Sequence, residues 1–351
     1  MRVIRSWIAF GAGLVVATGV LAGLPATATA APVAGKACAK VGATATVGWM
    51  QLTCRRTPTG KAWKVTARGP VYTATEQGTL VTCAADPSAV QLGSSARVYY
   101  ASGGRDCTVP GAPEPPDSLV VPLVPADPVI DVGRRFEIGG PAGPHKRILQ
   151  LPDGRFRMYY STGTNATVVG LGSSISVDGL SFTTEPGLRI AVADAGVAPR
   201  PALSPGDIVA TKDGLYRMYF SSFAFRPRDP VGEVEVIKSA VSTDLLTWTV
   251  EPGDRIGGTA RLTGSGEHPA AVRQPDGSVT LFYGRPTSQY GLYYSWSPDG
   301  LTFTKEVLLF PRVLDSAFLR QPNGALVGFI GRRDDAVGLS YIDRVLLTPR
   351  R

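Results

Sequence analysis

The chain has 351 residues, with 36 Lys or Arg, 28 Asp or Glu, 2 His and 4 Cys, and a net charge of +8. The 41 Gly and 29 Pro favour many turns over long helices, while 44% apolar and only 18% charged residues exclude wholesale disorder. Two His and four Cys exclude a His-rich metal site. There is also no Gly-x-Ser-x-Gly elbow, no phosphate-binding loop and no His-Glu-x-x-His.

At the N-terminus, Arg2 and Arg5 precede an apolar stretch from Ile8 to Leu24, and Ala28-Thr29-Ala30 supplies a small-x-small cleavage pattern. Residues 1–30 therefore read as a signal peptide. No Cys follows at a lipoprotein position, and no second apolar segment is long enough to span a membrane. The mature protein is expected to be secreted, extracellular or wall-associated. Outside the cytoplasm four Cys read as two disulfides. Sequence proximity favours Cys38 with Cys54 and Cys83 with Cys107, out of three pairings that four Cys allow.

Residues 31–69 read as a small basic module. Lys36, Lys40, Arg55, Arg56, Lys61, Lys64 and Arg68 fall between positions 31 and 75 with no acid among them. Such a block is drawn to anionic polymers, outside a cell to wall polymers rather than nucleic acid. It reads equally as a solvated basic surface with no partner. The segment Lys36-Ala37-Cys38 … Leu52-Thr53-Cys54 … Lys61-Ala62-Trp63 resembles small two-Cys modules of secreted actinobacterial proteins.

From residue 70 onward the chain repeats itself. Five segments share an apolar strand, a tight turn and a second strand ending in aromatics. The clearest are Ile148–Gly154 with Arg157-Met158-Tyr159-Tyr160, Ile208–Gly214 with Arg217-Met218-Tyr219-Phe220, and Ala271–Gly277 with Leu281-Phe282-Tyr283. Asp86–Val90 with Arg97–Tyr100 precedes these, and Phe318–Gly324 with Gly328–Gly331 follows. The Asp-Gly and Asn-Gly turns predict two-residue hairpins with both turn residues at φ > 0. Third and fourth strands follow, through Ser176-Val177-Asp178-Gly179, Ser242-Thr243-Asp244-Leu245 and Ser297-Pro298-Asp299-Gly300. Four strands per unit and five units predict an all-β, five-bladed β-propeller of four-stranded antiparallel blades over 70–351. First strands are expected near 87, 146, 207, 269 and 316, with Val71–Thr82 completing the last blade. The paired aromatics read as packing between blades. The Ser-x-Asp-Gly turns resemble sialidase Asp-boxes, although Asp and Gly are adjacent here.

Counting back from these aromatics, each unit has a polar residue just before or within its first strand: Asp86, His145, Asp207, Glu267 with His268, and Asp315. In a propeller these converge on one mouth of the central channel. Here the chain resembles glycoside hydrolase family 43 and its arabinanase, levansucrase and invertase relatives. Asp86-Pro87 matches the family's opening Asp-Pro, and Gly266-Glu267-His268-Pro269 matches its Glu-before-Pro. Asp207-Ile208 fits the position of the second acid but departs from its Asp-Pro motif. The resemblance implies inverting hydrolysis of arabinose- or xylose-type glycans, with Asp86 as base, Glu267 as acid and Asp207 raising the pKa of Glu267. His145, His268 and Asp315 are then substrate-binding residues. No cofactor is implied, and a channel-bound ion is compatible with the family. The partner is a carbohydrate or wall polymer, bound by a monomer. The competing reading is a non-catalytic propeller that binds glycan or wall without cutting it.

Overall fold

The computed structural model describes residues 32–47, 50–67, 69–102, 118–122, 130–131, 145–164, 167–196, 201–224, 235–262, 264–286, 290–334 and 339–350. The signal-peptide segment, Arg68 and Cys107 lie outside the described residues. All the regular structure described is β, and no helix among the described residues is long and apolar enough to cross a membrane.

The basic module is a three-stranded antiparallel sheet of β1 (Thr44–Val47), β2 (Met50–Thr57) and β3 (Gly60–Ala67). The Cys38–Cys54 disulfide closes a separation of 16 residues, a loop length for which cross-linking contributes about 3 kcal/mol. Cys83 is also disulfide-bonded. Lys36, Lys40, Arg55, Arg56, Lys61 and Lys64 are all exposed.

The module is not a free appendage. Leu52 is fully buried in a cluster with Trp63, Ala34 and Trp296, and Gly69 lies so close to Trp296 that a Cβ there would meet it at 2.5 Å. Removing residues 31–69 should therefore uncover Trp296. We expect the truncated protein to melt on the order of 5 °C lower, from the loss of roughly 2 kcal/mol of apolar burial, as a thermal melt would show.

Five four-stranded antiparallel sheets follow. The first joins β5 (Ala84–Leu92), β6 (Ser95–Ser102), β7 (Ser118–Pro122) and β8 (Ile130–Asp131). The second joins β9 (Lys146–Gln150), β10 (Phe156–Thr164), β11 (Thr167–Ser176) and β12 (Thr183–Ala191). The third contains β13 (Pro201–Ala210), β14 (Tyr216–Ala224), β15 (Glu235–Ser242) and β16 (Thr249–Val250). The fourth contains β17 (Glu267–Arg273), β18 (Val279–Arg285), β19 (Gly291–Ser297) and β20 (Thr304–Pro311). The fifth orders β21 (Val313–Arg320), β22 (Leu326–Asp334) and β23 (Leu339–Arg350) beside β4 (Val71–Thr82), so its outer strand comes from the N-terminal end of the repeat region. The first strands pack in sequence, β5 on β9, β9 on β13, β13 on β17, β17 on β21 and β21 on β5. The arrangement is propeller-like.

The hairpins differ from expectation in their turns. Gly154 N–H donates to Leu151 C=O (2.9 Å) and Leu151 N–H to Arg155 C=O (2.7 Å), with Gly154 alone at φ 88°. This is a type I turn followed by a left-handed Gly, which bends Leu-Pro-Asp-Gly without asking Asp153 to take positive φ. The pattern recurs at Gly277 and Gly324.

A shared grip joins neighbouring sheets. In the second, third and fourth sheets, Ser in the turn before the fourth strand donates to Asp Oδ1, and that oxygen also accepts two backbone N–H groups: Leu180 and Ser181 at Asp178, Leu246 and Thr247 at Asp244, Leu301 and Thr302 at Asp299. The preceding sheet holds this turn through an Arg-x-Tyr pair. Arg97 and Tyr99 donate to the carbonyls of Asp178 and Gly179, Arg157 and Tyr159 to Leu245, and Arg217 and Tyr219 to Asp299 and Gly300. Glu185 and Glu251 each fork onto the Arg of their own sheet. These belong to a repeated Glu-Pro-Gly-x-Arg-Ile, at 185–190 and 251–256, whose Arg189 and Arg255 bind the first carbonyls of their own turns. The paired aromatics thus pack between sheets.

Backbone N–H bonds hold the Asp178 carboxyl down to about 2 and Asp244 lower still. A carboxylate stabilised in this way contributes fully above its unfolded value near 4, and the contribution is lost as pH falls through the folded value. Urea midpoints should therefore decline as pH is lowered from about 4 towards 2. An Asp178→Asn/Asp244→Asn protein should be weaker at neutral pH and show a shallower decline.

Candidate functional site

The site grows from irregularities in the first strands. In β5 the pairing slips between Ala85 and Ser88, in β13 between Pro205 and Ile208, in β17 between Glu267 and Ala270, and in β21 between Val313 and Ser316. The extra residues are Asp86-Pro87, Gly206-Asp207, His268-Pro269 and Leu314-Asp315. A bulge releases side chains from the regular alternation and re-aims them, and Pro suits an unpaired position because it has no N–H to leave unbonded. Asp86 and His268 hold equivalent positions and both take left-handed backbone, at φ 52° and 50°. For non-glycine residues this costs energy and is characteristic of functional sites. β9 is regular, and His145 stands just before it.

These residues meet. His145 Nδ1 lies 3.0 Å from Asp86 Oδ1, and His268 Nδ1 lies 3.7 Å from the same oxygen. The two imidazoles contact edge to face, with centroids 4.2 Å apart. His268 Nδ1 is 2.8 Å from Asp315 Oδ1, and its Nε2 is 3.4 Å from Glu267 Oε2. Ser221 Oγ accepts from the His268 backbone N–H at 3.0 Å. Asp86, His145, Glu267, His268 and Asp315 therefore form one cluster around the His268 ring.

Asp207 makes different contacts. It is second in its bulge where Asp86 is first, and its Oδ1 pairs with Arg147 Nε at 3.3 Å. Its Oδ2 accepts from Ala271 N–H at 3.0 Å. Arg147 is buried and also donates to the carbonyls of Pro87 (2.6 Å) and Ser316 (3.2 Å). One guanidinium thus ties β9 to β5, β13 and β21. Arg147 and Asp207 line a cavity of about 290 Å³ with Gln91, Gln150, Ile208 and Phe318.

The electrostatics follow from these contacts. Burial disfavours a charged His268, yet Asp315 and Glu267 on either side raise it well above an ordinary imidazole. Burial likewise opposes ionisation of Glu267 and Asp315, but His268 holds both carboxyls below the usual range. For Asp207 burial pushes the carboxyl up, against the pull of Arg147. The charge nearest Glu267 is thus the His268 cation, and the neighbouring carboxylate that opposes its ionisation is Asp315. Asp207, expected from the sequence to take that part, is engaged by Arg147 instead.

Two site residues escaped the sequence reading. Arg147 had no signal beyond a charge inside an apolar strand. Glu235, buried at the start of β15, stands beside Glu267, and only the fold brings the two together.

Compared by sequence, the chain matches no protein-family model and no curated protein. Compared by structure, it is similar to a thermostable family-43 glycoside hydrolase, with a TM-score of 0.55 and 14% identity over 75% of this chain and 89% of that one. It is similar to a GH43_1 enzyme from Xanthomonas citri, with a TM-score of 0.53 and 16% identity over 79% and 90% of the two chains. A third similar structure is an N-acetylgalactosamine deacetylase from F. plautii in complex with blood group B trisaccharide, with a TM-score of 0.50 and 14% identity over 80% and 95%. The fold is that of family-43 and related glycoside hydrolases. At such low identity the likeness establishes the fold alone.

Proposed function

We propose that the protein is a secreted, five-bladed β-propeller hydrolase acting on glycans, with Asp86 as general base and Glu267 as general acid. The observation that carries this reading is that the two carboxyl groups flank one imidazole ring, 3.7 and 3.4 Å from its two nitrogens. An inverting glycosidase holds its carboxyls roughly 6.5–9.5 Å apart with a water between them, so this reading requires water and sugar to reach the two carboxyls beside the His268 ring that separates them. The similarity to glycoside hydrolases supports a carbohydrate substrate, and arabinose- or xylose-type glycans are the first to try. In this reading Asp315 is the carboxylate that opposes ionisation of Glu267, against the pull of the His268 cation that holds Glu267 below the usual range. Glycan binding must therefore weaken the Glu267–His268 contact before Glu267 can act as the acid. His145 and His268 line the sugar site, and Arg147–Asp207 braces the strands beneath their bulges.

One observation favours the competing reading, a non-catalytic glycan- or wall-binding propeller. Asp207 is engaged by Arg147 and is not among the residues around His268. The two are separated by incubating the full chain with arabinan, xylan and wall polysaccharide and following released sugar by NMR. Release of sugar with inverted anomeric configuration is the expected result. Saturable binding with no cleavage of any glycan would establish the binding module instead.

A further inference from the structure

Asp86, His145 and His268, given above as base and sugar-site residues, also form a donor set of a different kind. The geometry points to a site for one divalent transition-metal ion of the zinc class, held by Asp86 Oδ1, His145 and His268. One ligand atom from each lies within 4.8 Å of the other two, and the closest approaches are 3.0 and 3.7 Å. An ion bound at about 2.0–2.2 Å to each needs its ligand atoms within roughly 4 Å of one another, so a small inward movement suffices.

Three features point to a ligand site beyond the crowding itself. The chain's two His, one from the second sheet and one from the fourth, are brought edge to face at 4.2 Å. Two imidazoles and one carboxylate select zinc-class ions over calcium or magnesium, which take oxygen ligands. Finally, His268 offers its second ring nitrogen to Glu267 Oε2 at 3.4 Å. A carboxylate behind a metal-binding imidazole is the usual outer support, since it fixes the ring's orientation and tautomer. Asp315, 2.8 Å from His268 Nδ1, would be released from that contact when the ion takes the nitrogen. With three protein ligands the remaining positions stay open to water or a substrate oxygen, and in the ion-bound state Asp86 would be a ligand and not a free base.

The inference uses the same residues as the proposed hydrolysis, but its test does not require cleavage. Because the chain has only two His, their ring signals in ¹H–¹⁵N NMR report the site directly when the full chain is titrated with zinc chloride alone. We expect saturation at one ion per chain, with both imidazoles shifting together. By competition with a chelator, Asp86→Asn and His145→Gln should each weaken zinc by more than about 100-fold, and Glu267→Gln by about 10- to 100-fold, as expected for an outer support. The inference is overturned if the wild-type protein takes up no zinc at millimolar concentration. It is also overturned if neither or only one imidazole moves, or if both ligand variants bind zinc as the wild type does. The wild-type titration decides even where a variant fails to fold, and a protein that cleaves no glycan can still bind the ion.

Discussion

The Asp86→Asn protein should lose glycan cleavage by about 10²- to 10⁴-fold, the usual contribution of a positioned acid or base, and still melt near the wild-type temperature. Asn has the size of Asp, and its amide can keep a contact with His145, now 3.0 Å from the carboxylate. It also tolerates left-handed backbone better than most residues, as position 86 requires at φ 52°. What it cannot do is accept the proton of an attacking water. Glu267→Gln should show a loss of the same order, because the amide offers no transferable proton to a leaving oxygen. Initial rates on the best glycan, read beside thermal melts, check both. Near-normal turnover in either variant would remove that residue from the mechanism.

Arg147→Met should have the largest effect on stability, about 3–5 kcal/mol. The guanidinium is buried, pairs with Asp207, and donates to the carbonyls of Pro87 and Ser316. Methionine fills similar space but leaves a partly buried carboxylate without its cation and two carbonyls without donors. Arg147→Lys should recover only part of the loss, because an ammonium cannot present the same planar fork to three partners. Arg147→Met combined with Asp207→Asn should be more stable than Arg147→Met alone, since the stranded charge is gone. Denaturant unfolding of the four proteins measures this. A cost below about 1 kcal/mol for Arg147→Met would mean the ion pair is no more than a surface-type contact.

The bulges show how far the site could be read in advance. Asp86-Pro87 and His268-Pro269 are visible as dipeptides, and each marks a strand position that cannot pair. Counting back from the aromatics leads to residues that the fold brings together, Asp207 excepted, because the hairpins have near-constant length. The count does not distinguish first from second place in a bulge, and that one-residue difference accompanies the separate contacts of Asp86 and Asp207. It also could not say what stands opposite each acid. Glu267 meets an imidazole, and Asp207 meets an arginine that ordinary strand patterning would treat as an exception.

By itself the sequence determined the strands and their grouping in fours, and it favoured the Cys38–Cys54 link that the structure contains. Alternation, Gly-marked turns and the Arg-x-Tyr and Ser-x-Asp repeats are local patterns, and each is satisfied within a few residues or by the neighbouring copy of the same unit. Which charges meet among the first strands was decided only by the tertiary structure. Asp86, His145, His268 and Asp315 come from four different sheets, and their contacts depend on the angle at which each first strand approaches the others. That angle is set by the packing of whole sheets through Tyr159, Tyr219 and their counterparts, at separations in the chain that no local pattern spans. The same packing seats Trp296 on Leu52 and Trp63. It joins to the repeat a module that composition alone sets apart.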